Sequence, residues 1–183
     1  SPQEATIFTA DSTAQHAADE YFLTSGDKIR CFFEKDAFDE HGVLRSEAHL
    51  CLNKLGHAMH DLDPVFSAFS RTPQMAAVAK QVGLVDPLLL QSMYIFKQPR
   101  IGGEVNSHTD HTFLWTEPQS VIGFWIAIDD ATTENGCMWA LPGGHRIPVK
   151  SRSKLNAART ATITEVFDKD PYPTEGLVPL EAS

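Results

Sequence analysis

No stretch of this chain approaches the roughly 18 consecutive apolar residues that a membrane-spanning helix needs, so no membrane segment is expected. Positive charge is scarce too. Fifteen Lys and Arg residues face 24 Asp and Glu, for a net charge of −9. Phosphate contacts require a basic surface, so nucleic acid is excluded as the expected partner. A basic peptide is not. Cysteine is sparse: Cys31, Cys51 and Cys137 lie far apart, and no C-x-x-C occurs. That leaves neither a disulfide framework nor a thiolate zinc site, and it fits three reduced thiols inside a cell. The opening Ser1-Pro2-Gln3-Glu4 has no initiator Met and no basic-then-apolar leader. The expected location is therefore the cytoplasm. No internal repeat is present.

What remains is ordinary for a globular protein. The 183 residues are 42% hydrophobic and 21% charged, enough for a single domain with a real core. Residues 1–20 are polar and Ala-rich, a helix or loop. Lys28–Glu34 alternates in part and reads as a strand. Residues 35–47 are turn-rich, and residues 49–60 read as helical. A clearer helix follows Thr72-Pro73, with Thr72 as cap and Pro73 in the first turn. Met75, Val78, Ala79 and Val82 give it one apolar face, and Gly83 ends it. Strand candidates come later: Leu88–Lys97, Val121–Ile128 and Cys137–Leu141. The second is too apolar for a surface edge, and Asn135-Gly136 supplies a turn before the third. Residues 146–183 read mainly as a long excursion. Helices first and strands later argue for an α+β fold.

The chemistry concentrates in Gly102-Gly103-Glu104-Val105-Asn106-Ser107-His108-Thr109-Asp110. On an extended backbone, residues i and i+2 point to one side, so the His108 imidazole and the Asp110 carboxylate converge. Such a pair supplies two of the three protein ligands of a 2-His-1-carboxylate iron site. A His-x-Asp alone is common, and on the motif alone a solvated loop with a hydrogen-bonded His is the better explanation. Its surroundings favour the metal. Gly102-Gly103 permits a tight approach, and Phe113, Leu114 and Trp115 can wall a pocket. The order strand, His-x-Asp, strand, turn, strand suits a jelly-roll, or double-stranded β-helix, that carries metal in its mouth.

A rival is the His-x-His-x-Asp-His signature of zinc metallohydrolases. Asn106 stands where its first His belongs, and its later ligands are not evident. His111, three residues past His108, faces away from the pair on a continuing strand. His57 and His60 share a face if helical and read as polar surface. His145, at a strand end after Pro142-Gly143-Gly144, suits the pocket or the turn about equally. His16 and His41 read as loop residues, and His49 carries no signal.

Several ordered segments resemble the phytanoyl-CoA dioxygenase family. They are Ser25–Arg30, Asn53–Ala58, Gln91–Pro99, Gly103–Pro118, Trp125–Ala127, Glu134–Cys137 and Pro142–His145. Together they are far more specific than His-x-Asp alone. The resemblance implies a jelly-roll, cupin-like core with helices outside. It implies an Fe(II)- and 2-oxoglutarate-dependent dioxygenase that uses O2, with ascorbate as a possible reductant. His108 and Asp110 would bind iron, and Lys54, Met93, Thr109 and Trp125 would line the 2-oxoglutarate site. Lys54 offers a charge to a carboxylate. Trp125 offers an apolar wall and an N–H. The family also carries a distal His and a following Arg on a late strand. Their absence before Ser183 implies a domain over residues 1–183 that is incomplete, with the third ligand beyond it. The expected partner is a small-molecule substrate or, second, a basic peptide. No basic cluster is evident for the phosphates of a CoA ester. The alternative is a non-catalytic jelly-roll binding module.

Overall fold

Partly alternating apolar residues from Ile29 to Phe33 build the strand from which the first sheet grows. The computed structural model describes residues 6–7 and 20–183. It divides into two units, Ser1–Gly103 and Glu104–Ser183. The reading of residues 1–20 as helix or loop falls outside the described residues, apart from strand β1 (Thr6–Ile7) and Glu20.

In unit 1, β1 runs parallel to β2 (Ile29–Phe33), which pairs antiparallel with β3 (Leu52–His57). β3 pairs in turn with β4 (Ser92–Ile95), giving the order β1-β2-β3-β4. Phe32, Met59 and Cys51 are the largest fully buried side chains among the described residues. Helix α1 (Glu20–Leu23) covers Phe32 by setting the Tyr21 and Phe22 rings edge-on to it, at 5.7 and 6.1 Å. Such edge contacts add to the area the rings bury.

Residues 49–60 correct the sequence reading. A 3-10 turn (Ala48–Cys51) leads into β3, and only then does helix α2 (Met59–Leu62) begin. The reason is tertiary: Leu52–His57 has ladder partners on both edges, and pairing decides strand identity more than local propensity does. Helices α3 (Pro64–Ser70) and α4 (Pro73–Gln81) follow the capping logic. Asp63 accepts from the Val65 and Phe66 N–H groups at 2.9 and 3.0 Å, and Thr72 accepts from Met75 at 3.4 Å. Gly83 takes φ +86° just past α4, a conformation open to glycine at no steric cost. The Leu88–Lys97 candidate shrinks to β4, because Leu88 and Leu90 remain exposed with no strand beside them among the described residues.

In unit 2, β5 (Met138–Ala140) pairs antiparallel with β8 (Val178–Leu180). β6 (Ser151–Leu155) pairs antiparallel with β7 (Thr162–Val166). Residues 146–183 are thus a paired region and not an excursion. The Asn135-Gly136 turn is present: Asn135 Oδ1 accepts from Thr132 N–H at 2.7 Å, and Gly136 takes φ +94°. Val121–Ile128 is a second correction. It forms no strand among the described residues, and Ile122, Trp125 and Ile128 are exposed. Apolar composition supplies the faces of a strand, but only a neighbouring backbone supplies its ladder.

The result is α+β: short helices with largely antiparallel sheets, and no closed barrel among the described residues. No described helix is long and apolar enough to cross a membrane.

Candidate active site

Thr109 has extended backbone, φ −114° and ψ 143°, so the side chains on either side of it come to one side. The His-x-Asp pair therefore converges although no strand holds it. His108 Nε2 lies 3.6 Å from Asp110 Oδ1. Asp110 then opens a 3-10 turn (Asp110–Thr112), and its carbonyl accepts from the Phe113 and Leu114 N–H groups at 2.9 and 2.8 Å. Thr112, the last residue of the turn, is buried. The Phe113 ring stands edge-on to the imidazole at 5.6 Å.

The imidazole is oriented from behind. Its Nδ1 lies 2.8 Å from the Asn106 carbonyl oxygen, which can only accept. Nδ1 therefore carries the proton, and in the neutral ring the lone pair of Nε2 faces the carboxylate. Two electron-pair donors facing each other require a proton or a cation between them. A metal with bonds of about 2.1 Å holds adjacent ligands roughly 3.0–3.4 Å apart. The observed separation is slightly wider, so a small closure of the pair suffices, and the residues present fit a divalent cation. With Nε2 protonated as well, the His108 hydrogen bond is the main influence holding Asp110 below the ordinary carboxylate range; burial opposes it, and the charges of His108 and His111 add to it. His111 is thus felt at Asp110 electrostatically.

Sequence reasoning missed two neighbours. A Cβ on Gly123 would stand 3.0 Å from Asp110 Oδ2, so only glycine lets this backbone pass the carboxylate without displacement. The Tyr172 hydroxyl lies 3.5 Å from Thr109 Oγ1 and accepts from the Lys150 N–H at 3.2 Å. Gly123 sat inside a predicted strand, where an isolated glycine signals close backbone approach. Tyr172 had no local signal.

The remaining predicted residues separate by unit. Thr109 and Trp125 lie in unit 2, the first half-buried and the second 43% exposed. Lys54 and Met93 lie on β3 and β4 of unit 1. The register places Met93 opposite Gly56 and Ile95 opposite Lys54, so all four share one sheet face. Lys54 is buried, and that burial pushes its ammonium down to about 8; Glu34 opposes the shift and Lys97 adds to it. A cavity of about 330 Å³ in unit 1, lined by Arg45, Leu50, Gln98, Arg100 and Ile101 among others, contains none of the predicted site residues.

His57 and His60 correct the surface reading, because both are buried. The His57 Nδ1 lies 2.9 Å from Ser25 Oγ, and burial, helped by the Lys54 charge, pushes the ring down to about 4. His60 Nδ1 lies 2.9 Å from Ser92 Oγ. Each is a satisfied core polar group on its own hydroxyl partner. His41 and His49 are exposed, and His145 sits in a 3-10 turn (Gly144–Arg146). His16 lies outside the described residues. Cys31, Cys51 and Cys137 are all free thiols.

The family model described as Phytanoyl-CoA dioxygenase (PhyH) matches residues 5–183. The chain belongs to the phytanoyl-CoA dioxygenase family. It is 48% identical over 153 residues to phytanoyl-CoA dioxygenase domain-containing protein 1 of Mus musculus, covering 83% of this chain and 53% of that protein. It is 52% identical over 134 residues to the protein of the same name in Rattus norvegicus, covering 73% of this chain and 46% of the other. Against the phytanoyl-CoA dioxygenase of Arabidopsis thaliana the identity is 48% over 132 residues, 72% of this chain and 47% of that one. The chain thus spans about half the length of the curated relatives it matches.

Proposed function

We propose that this chain carries the metal-binding pair of an Fe(II)- and 2-oxoglutarate-dependent dioxygenase. The observation that carries the reading is the oriented imidazole: the Asn106 carbonyl fixes His108 so that Nε2 and Asp110 Oδ1 face one point. A first ligand held by a carbonyl behind it is the usual arrangement at metal-binding histidines. Both side chains are partly open, 39% and 57%, so an ion can reach them. Among the described residues no third His, Cys, Asp or Glu joins them. Membership of the dioxygenase family supports the same reaction class.

Bound iron with 2-oxoglutarate and O2 would supply oxidative decarboxylation to succinate and CO2, coupled to hydroxylation of a second substrate. The chain's own residues have simpler tasks. His108 and Asp110 hold the ion. Lys54 offers a positive charge to a 2-oxoglutarate carboxylate, and Met93, Thr109 and Trp125 shape that site. Both units belong, on this reading, to one jelly-roll domain of a cytoplasmic enzyme. Its substrate is a small hydrophobic molecule, with a basic peptide second.

Anaerobic Fe(II) titration and succinate release from 2-oxoglutarate test the proposal. The His108→Ala and Asp110→Asn chains should each bind Fe(II) at least about 100-fold more weakly, since each loses a direct ligand. Both should unfold at the same urea concentration as the parent, because neither side chain is buried. Unchanged iron affinity in both variants would falsify the reading. Zinc retained through purification, with no 2-oxoglutarate turnover, would point to the hydrolase instead.

A second reading is favoured by Val121–Ile128, an apolar segment with no strand partner among the described residues. Unpaired apolar backbone of this kind recruits another strand, as in a non-catalytic binding module. Specific binding of a strand-forming peptide with no iron affinity would select it.

A further inference from the structure

The β6–β7 hairpin carries three cations on one face. Lys150, Arg152 and Lys154 alternate along the strand, and the register sets Arg152 opposite Glu165. Lys150, just before β6, continues the pairing: its carbonyl accepts from the Phe167 N–H at 2.8 Å. Lys150 is ion-paired to Asp168, and Lys154 Nζ donates to Glu165 Oε2 at 2.7 Å. Arg152 is different. No hydrogen bond or ion pair among the described residues engages its guanidinium, and its buried Nε–H has no acceptor. A ring holds it instead: Cζ lies 4.7 Å from the centroid of Trp115. Trp115 is itself fixed, with its Nε1–H donating to Glu117 Oε1 at 2.6 Å and the Phe167 ring 5.8 Å away.

This face adjoins the His108–Asp110 pair. β6 packs against the Asp110–Thr112 turn. The Lys150 N–H donates at 3.2 Å to the Tyr172 hydroxyl, which lies 3.5 Å from Oγ1 of Thr109, the residue between His108 and Asp110. All of these residues belong to unit 2. A guanidinium held over an indole can still grip a carboxylate at two points with its in-plane N–H fork. A buried donor without an acceptor is a cost that native structures seldom carry. The chain as a whole repels anions at net charge −9, so an anion is recognised only where a cation is left without a carboxylate partner.

We propose that Arg152, seated on Trp115, is a specificity-determining residue: it binds a carboxylate of the prime substrate while the Trp115 and Phe167 rings take its apolar body. The inference rests on the dioxygenase reading and narrows the substrate from a small hydrophobic molecule to one bearing a free carboxylate. Trp115 is half-buried and Phe167 is 52% exposed, so both rings present open apolar surface. A neutral analogue loses the charge-assisted bonds and keeps only the apolar contact. A basic peptide is repelled by the same group.

The test uses the whole 183-residue chain with octanoate and its neutral analogue octanamide as probes, read by calorimetry and by the NMR signal of the Arg152 Nε–H. The parent should bind octanoate at least about tenfold more tightly than octanamide, and octanoate should move the Arg152 signal. Arg152→Met should bring that ratio to within about twofold of unity, by weakening octanoate and not octanamide. Arg152→Lys, which keeps the charge and loses the fork, should fall between the two. Absence of octanoate binding by the parent, equal affinity for the two probes, or an octanoate preference that survives Arg152→Met overturns the proposal. If Arg152→Met weakens 2-oxoglutarate and leaves octanoate alone, the carboxylate belongs to the cosubstrate and the substrate assignment is overturned. If Arg152→Met does not fold, Arg152→Lys decides: an octanoate preference equal to the parent's overturns the proposal. Unchanged iron affinity in His108→Ala and Asp110→Asn defeats the dioxygenase reading, and the octanoate preference, measured without iron, still decides the carboxylate site.

Discussion

Ser25, Glu34, Lys54 and His57 in unit 1 are at most 6% exposed, whereas His108 and Asp110 in unit 2 keep 39% and 57% of their side chains open. The first set is enclosed by a four-stranded sheet with Phe32 at its centre. The second sits on a 3-10 turn with a hydrogen-bonded imidazole. Buried groups must satisfy one another, and their protonation shifts accordingly. Open groups keep ordinary access to water and can exchange a proton for an ion. One unit thus sets protonation through burial, and the other leaves its ionisable pair open to solvent.

The largest test of that contrast is in packing. Phe32→Ala should cost about 3–5 kcal/mol by urea denaturation, because the ring is fully buried and leaves a cavity. Trp139→Ala in unit 2, where the indole is 53% exposed, should cost under about 1 kcal/mol. Equal costs would erase the difference between the units.

The next is the pH dependence that His57 brings to unit 1. His57 has its folded value lowered to about 4 from 6.5. Between those values the unfolded chain holds a proton that the native state does not. Stability therefore falls as pH drops through this window, by up to about 3 kcal/mol, and the loss levels off below it. A His57→Gln chain should show a shallower fall from pH 6.5 to about 4, measured by denaturation at each pH. Parallel curves for the two chains would mean that other groups govern the acid limb.

The smallest effect lies in unit 2. Gly123→Ala places a methyl 3.0 Å from Asp110 Oδ2 and must push the carboxylate aside. Metal affinity should weaken about tenfold, the scale of a disturbed supporting contact. Stability should change by less than about 1 kcal/mol, since the carboxylate is exposed and can move. An unchanged affinity would show that Asp110 tolerates displacement.

Legibility in the sequence followed the range of the interactions. The α4 helix was readable because Thr72, Pro73 and the 75/78/79/82 spacing act within a few residues. The Asn135-Gly136 turn was readable for the same reason. The His108–Asp110 convergence needed only one extended residue between the two, and Thr109 supplies it. β3 was misread because its strand character comes from β2 and β4, distant in the chain. Val121–Ile128 was misread in the opposite sense, since a strand-like composition met no ladder partner. Tyr172 is 63 residues from Thr109, beyond any local pattern.

The sequence by itself determined the family, the His-x-Asp pair and the helix caps, since each depends on residues close together or on ordered identities. Only the tertiary structure decided which polar side chains are buried. Lys54 reads as any surface lysine until β2 and β4 close on either side of β3, and His57 reads as polar surface until Ser25 and the Phe32 ring enclose it. Burial comes from distant pairing, and that burial is the main cause that pushes the Lys54 ammonium down to about 8.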